Sequence, residues 1–181
     1  MYFQRQIKKS IQSKLFTSGR ILIIYWPRRT GKTTLVKELI DAYKATKRTK
    51  YIQCESAVAQ EGFSGRNPVL LKQYIGDVQL LVLDEAQYIS EIGVNLKLLI
   101  DTYPDIQIVV TGSSSLDLAG KIKEPLTGRI FEYMLSPITL SEAETAYGKE
   151  NIDSYLENYL LYGMYPSVLN AAGDEKKDVL Q

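Results

Sequence analysis

Short apolar runs separated by longer amphipathic stretches set the pattern of this chain. Four runs stand out: RILIIYW (20–26), KYIQCE (50–55), QLLVLD (79–84) and DIQIVVTG (105–112). They are mostly continuous rather than alternating, which is how strands covered on both faces read. A fifth, RIFEYMLS (129–136), alternates and reads as an edge strand. Between the runs lie helical patterns. KTTLVKELIDAYKA sets Leu35, Leu39 and Ala42 on one face, flanked by Val36, Ile40 and Tyr43. NPVLLKQYIGD opens with Asn67 as N-cap and Pro68 at the first helical position. ISEIGVNLKLLIDTY keeps helical spacing up to Pro104. Strands alternating with helices predict an α/β fold with a parallel sheet and right-handed crossovers.

The pattern changes after residue 136. LSEAETAYG predicts a helix opened by a Ser141–Glu144 capping box, and IDSYLENYLLYGMYPSVLNAAG is helical and rich in tyrosine and leucine. The sequence therefore predicts an α/β core over 1–136 and a small helical subdomain over 137–181. The polar ending GDEKKDVLQ supplies no terminating element, as expected either of a chain cut before a further domain or of a natural polar tail.

Composition narrows the chemistry. With 181 residues, 45% hydrophobic and 24% charged, the chain suits one globular domain with the start of a second. A net charge of +1 gives no bulk attraction to nucleic acid or acidic membranes. No apolar run approaches the roughly 20 residues that span a bilayer, and no signal-peptide core opens the chain. No histidine and the single Cys54 exclude zinc fingers, histidine-based triads and an internal disulfide. The expectation is a cytoplasmic protein whose metal, if it uses one, is held by hydroxyls and carboxylates.

Four blocks carry candidate chemistry. The first runs Pro27-Arg28-Arg29-Thr30-Gly31-Lys32-Thr33-Thr34, after a strand and into a helix. That context makes the match to a phosphate-binding loop credible: Gly31 would allow close backbone approach, and helix-start N–H groups would face an anion. Lys32 would reach β- and γ-phosphates, and Thr33 would give Mg²⁺ a hydroxyl ligand. The second is LLVLDEAQ, where Asp84 would hold Mg²⁺ through water and Glu85 would polarise the attacking water. An Asp-Glu pair can also simply open the next helix. The third is IVVTGSSS, where Thr111 and Ser113 would lie beside the loop, or cap a helix. The fourth is Arg129 in LTGR, either an arginine that stabilises phosphoryl charge, in cis or in trans, or a surface arginine paired with an acid.

As a set, WPRRTGKTT, LDEAQ, TGSSS, LTGR, LSPITLSE and YGMYPSV resemble the prokaryotic AAA-type predicted ATPases, P-loop NTPases of the additional-strand, catalytic-glutamate class. The resemblance covers nearly the whole chain. It implies a three-layer RecA/AAA-like fold with a five-stranded parallel sheet in the order 5-1-4-3-2, a helical lid, and Mg-dependent hydrolysis of ATP. Members are about twice as long and continue into a nuclease-like domain, so the resemblance implies that this chain is the ATPase half.

One position departs from the family. Trp26 stands where the loop pattern has its first glycine. Left-handed backbone there would cost a tryptophan roughly 1–2 kcal/mol, and the indole would crowd the phosphates. Alternatively Trp26 packs at the strand end in a permitted conformation. The chain then reads either as an ATPase or as a nucleotide-dependent interaction module with weak or no hydrolysis. No Asn-Lys-x-Asp segment points to guanine. A protein partner or a second copy is left open. Nucleic acid rests only on the basic run KATKRTK (44–50), which also reads as a solvated helix end.

Overall fold

In the computed structural model, residues 2–176 are described apart from 18, 28, 113–119, 123 and 172–174, and 152–155 by backbone alone. The five runs form one parallel sheet: β1 (Ile21–Tyr25), β2 (Thr49–Gln53), β3 (Leu80–Asp84), β4 (Gln107–Gly112) and β5 (Ile130–Met134). The strand order is β2-β3-β4-β1-β5, the expected 5-1-4-3-2 read from the other edge. Ile23 sits opposite Val110 of β4 on one side and Glu132 of β5 on the other.

Continuous apolar runs become interior strands here because β1, β3 and β4 are buried along their whole length. β2 departs from the expectation. It is an edge strand, and only Ile52 of its residues is buried. Its run looked interior because Ile52 and Cys54 both face the core, whereas Tyr51 and Gln53, which alternate with them, are exposed.

The two-residue period of β1 assigns its side chains to opposite faces. Ile21, Ile23 and Tyr25 pack with Leu71 and Ile75 of α4 (Pro68–Ile75) and with Ile92, Leu96 and Leu99 of α5 (Ile92–Thr102). Leu22, Ile24 and Trp26 pack with Ile11 of α1 (Ile7–Lys14) and with Leu35, Val36 and Leu39 of α2 (Lys32–Tyr43). The result is three layers around two apolar cores. Asn67 caps α4 as expected, accepting from the N–H groups of Val69 and Leu70, with Pro68 in the first turn. The short α3 (Ala57–Gly62), capped by Ser56, has no counterpart in the sequence reading.

After β5 come α6 (Leu140–Tyr147), α7 (Lys149–Tyr162) and α8 (Pro166–Asn170). The capping box lies two residues earlier than expected. Thr139 accepts from the N–H of Glu142, whose side chain accepts from the N–H of Thr139. Thr139 is the extended residue at the helix entrance, so Ser141 already lies inside α6. Ile138, Ala143 and Tyr159 form a third, small core that Phe3 of the N-terminal segment joins. Among the described residues no helix is long and apolar enough to cross a membrane.

Candidate functional site

The loop between β1 and α2 lies at the carboxyl end of the sheet, where α/β proteins hold their ligands. Its shape follows from a few residues. Gly31 has φ +89°, a left-handed conformation that suits glycine, and as the N-cap of α2 it supplies no side chain to cap the first turn. The N–H groups of that turn stay available to an anion. Arg29 is also left-handed, at φ 67°. Thr30 is buried, and its hydroxyl donates to the carbonyl of Pro27 at 3.0 Å.

Trp26 is not strained. It lies outside the left-handed region. It is 4% exposed and packs on the α1–α2 face, two residues on from Ile24. Its indole also carries the Lys32 ammonium, 4.6 Å from the ring centroid, a cation–π contact. Of the two readings of this residue, packing in a permitted conformation is the one observed.

Lys32, Asp84 and Glu85 converge. The ammonium of Lys32 donates to Glu85 Oε1 and stands 3.1 Å from Asp84 Oδ1. Asp84 is held from both sides: Thr111 donates its hydroxyl to Oδ1 at 2.5 Å, and Tyr51 donates to Oδ2 at 2.5 Å. Burial of Asp84 is the largest single influence on its acidity and disfavours the charge. The bonds from Thr111 and Tyr51 and the Lys32 ammonium together outweigh it, so the carboxyl stays below its ordinary value. The reciprocal effect appears on Tyr51, whose pKa is raised by burial and by its bond to Asp84. Burial, with the charges of Asp84 and Glu85, pushes the Cys54 thiol up to about 12, so it stays protonated.

Glu85 adopts left-handed backbone, φ 55° and ψ 48°, rare for a residue with a Cβ. Its N–H donates to Thr111 Oγ1 at 3.2 Å, and Gln87 donates to its Oε2 at 2.7 Å. Thr111 therefore orients both acids. Residues held in sparsely populated backbone conformations cluster at functional sites.

Lys32 and Glu85 border a cleft of about 560 Å³, walled also by Trp26, the rest of loop residues 29–34, Pro166 and Ser167. That volume lies within the range of small-molecule sites, about 300–1,000 Å³. Ser167 Oγ is buried and has no hydrogen-bond partner among the described residues. A second pocket of about 110 Å³, bordered by Tyr2, Phe3, Arg5, Ile138 and Asn170, shares Gly31, Thr34 and Pro166 with the cleft. Among the described residues no group of three or more acids or cysteines could hold a metal alone. The donors present, the ionised Asp84 and the exposed Thr33 hydroxyl, suit a hard cation that shares its shell with phosphate oxygens.

The structure thus brings together Pro27, Arg29, Thr30, Gly31, Lys32, Thr33, Thr34, Asp84 and Glu85. Arg28 and Ser113 lie outside the described residues. Arg129 is not brought to the site. It precedes β5, at the amino end of the sheet, where Ile21 donates its N–H to the Arg129 carbonyl. At about 3.3 Å per residue, that is roughly 16 Å from the carboxyl end. Its guanidinium pairs with Asp101, the surface ion pair that sequence left as the alternative. The basic run 44–50 is engaged within the chain: Lys44 with Asp41, Lys47 over Phe16, Arg48 with Asp77 and Lys50 with the Tyr74 carbonyl. Tyr51 and Arg5 are site residues that the sequence reading missed. No local motif marks either, since Tyr51 reaches Asp84 only through the pairing of β2 with β3.

A parallel sheet in this order, with a glycine-lysine loop after β1 and an Asp-Glu pair after β3, defines a P-loop NTPase fold of the AAA type. The chain belongs to the AAA domain family, which matches residues 18–144. No curated protein matches it. Solved structures share its fold. The Walker-type ATPase PABY2304 of Pyrococcus abyssi superposes with a TM-score of 0.61 at 19% identity, over 93% of this chain and 65% of that one. A replication initiator DnaA bound to AMPPCP and single-stranded DNA gives 0.56 at 19% identity, over 97% and 63%. AMPPCP-bound DnaA from Aquifex aeolicus gives 0.54 at 21% identity, over 83% and 55%. The chain spans less than two thirds of the length of each.

Proposed function

We propose that the chain binds Mg·ATP and hydrolyses it to ADP and phosphate, and that hydrolysis moves the helices from residue 137 onward, as a lid, against the sheet. The observation that carries this reading is the convergence of Lys32, Asp84 and Glu85 at the open N-terminus of α2. The AMPPCP held by the two DnaA structures supports a nucleoside triphosphate as the ligand class.

In this reading the loop N–H groups from Gly31 to Thr34 and the Lys32 ammonium hold the β- and γ-phosphates. Lys32 exchanges its acidic partners for phosphate oxygens, which frees Glu85. Glu85 then accepts a proton from a water as its oxygen bonds to the γ-phosphorus, and the bond to the β–γ bridging oxygen breaks. Thr33 and Asp84 would hold Mg²⁺, which would supply positive charge to offset the negative charge of the phosphates. Thr111 keeps Asp84 and Glu85 aimed. The smaller pocket beside Tyr2, Phe3 and Ile138 takes the base. ATP and ADP are the small-molecule partners, and a cytoplasmic setting fits them.

A second reading keeps binding and drops turnover: a nucleotide-switched interaction module. The Lys32 ammonium resting on Trp26 favours it, because that contact competes with phosphate for the lysine. Phosphate release measured beside equilibrium binding separates the two. Glu85→Gln should bind ATP within about twofold of the parent and lose at least tenfold in turnover. Turnover equal to the parent's removes Glu85 from the role, and a parent that binds but releases no phosphate selects the switch.

A further inference from the structure

Arg5 is buried, 7% exposed, and its guanidinium joins three segments distant in sequence. Nη1 donates to the carbonyl of Thr30 at 2.7 Å, inside the phosphate loop. Nη2 donates to the carbonyl of Ser136 at 2.5 Å and approaches that of Pro137 at 3.4 Å, where the chain leaves the sheet for the C-terminal helices. Nε meets Glu142 Oε1 of α6 at 3.2 Å, and the same oxygen accepts the N–H of Gln6 at 2.8 Å. Two residues before Arg5, Phe3 lies in the small core of those helices. A Cβ placed on Gly31 would stand 3.5 Å from Pro166 of α8 and 3.8 Å from Arg5 Nη1, so loop, α8 and guanidinium meet at one point.

The bond to Thr30 has a directional consequence. The Thr30–Gly31 peptide is planar and trans, so its C=O and N–H point in opposite senses. With the carbonyl turned toward Arg5, the N–H of Gly31 is turned away from it. A phosphate that pulls on that N–H rotates a peptide whose other end is fastened to residues 136–137 and Glu142. A guanidinium is rigid, and its fork reaches several acceptors at once, which an ammonium on a flexible stem does not do.

We propose that Arg5 is a positioning residue for the candidate nucleotide site: it orients the Thr30–Gly31 peptide and couples the occupancy of the loop to the position of the C-terminal helices. The coupling to nucleotide rests on the reading given under Proposed function. The link itself is a property of the ligand-free chain.

Amide hydrogen exchange on the 181-residue chain tests both. In the ligand-free state, Arg5→Lys keeps the charge and loses the fork. Exchange should rise at least fivefold at both 30–35 and 138–147, with β3 and β4 unchanged. A rise at one segment alone overturns the link. With Mg²⁺ and AMPPCP, the parent should slow exchange in both segments, whereas R5K should slow it only in the loop and bind about tenfold more weakly. An R5K chain whose 138–147 segment responds as the parent's does overturns the coupling. A parent whose loop ignores AMPPCP contradicts the nucleotide reading instead, and the ligand-free comparison still decides the link. Should R5K fail to fold, Glu142→Gln removes the charge facing Arg5 and keeps a capping side chain. Loosening confined to 138–147 then overturns the link.

Discussion

Trp26 shows how one residue's role depends on which way its strand faces. A loop pattern that wants glycine suggests strain or crowding, yet the period of β1 sends the indole into the α1–α2 core. Trp26→Gly therefore has no strain to relieve. Removing a buried tryptophan side chain costs about 3–5 kcal/mol, so the variant should melt well below the parent and bind nucleotide no more tightly. Urea unfolding paired with calorimetric titration checks this, and tighter binding by the variant would mean that the indole obstructs the phosphates after all. Asp84 gives a second test at this scale. Its carboxyl is more acidic in the folded chain than its ordinary 3.8. The stability it contributes is thus fully present above the unfolded value and is lost as pH falls through the lower folded value. Unfolding free energies measured from pH 6 down to pH 2 should fall less steeply below pH 4 for Asp84→Asn than for the parent. Parallel curves would show that Thr111, Tyr51 and Lys32 do not favour the charged form.

Elements were legible where a local pattern decides them. β1, β3 and β4 follow from unbroken apolar runs, and α4 from Asn67 and Pro68. α3 was not legible, because six residues hold too little periodicity. β2 was misplaced as interior, because two inward side chains imitate a covered strand. The candidate site divides in the same way. The loop and the Asp-Glu pair are contiguous in sequence and were read directly. Tyr51 and Arg5 depend on contacts 33 and up to 137 residues away. Arg129 reads from sequence either as an arginine for phosphoryl charge or as a surface ion pair, and its place before a parallel strand sets it at the amino end of the sheet, paired with Asp101. Helix packing offers its own test. A Cβ on Gly93 of α5 would stand 2.1 Å from the Lys121 carbonyl, and neither backbone yields easily. Lys121 also donates to the carbonyl of Gln87, in the turn after Glu85. Gly93→Ala should cost about 1–3 kcal/mol, a fall of roughly 2–4 °C in Tm per kcal/mol. An unchanged Tm in a thermal scan would mean that α5 and the segment at Lys121 are not closely packed.

At the scale of the molecule, two layers of helices bury the sheet and leave its carboxyl end open to the C-terminal helices. The charges that would serve a triphosphate then satisfy one another: the Lys32 ammonium lies against Asp84 and Glu85. The central claim is that this lysine is kept for phosphate. Isothermal titration of Mg·ATP into the parent and into Lys32→Ala, at one magnesium concentration and with both folds checked by circular dichroism, tests it most directly. The account predicts one site per chain in the parent and a dissociation constant at least tenfold weaker in the variant, a difference of about 1.4 kcal/mol or more. Equal affinities, or no binding by the folded parent, would contradict it.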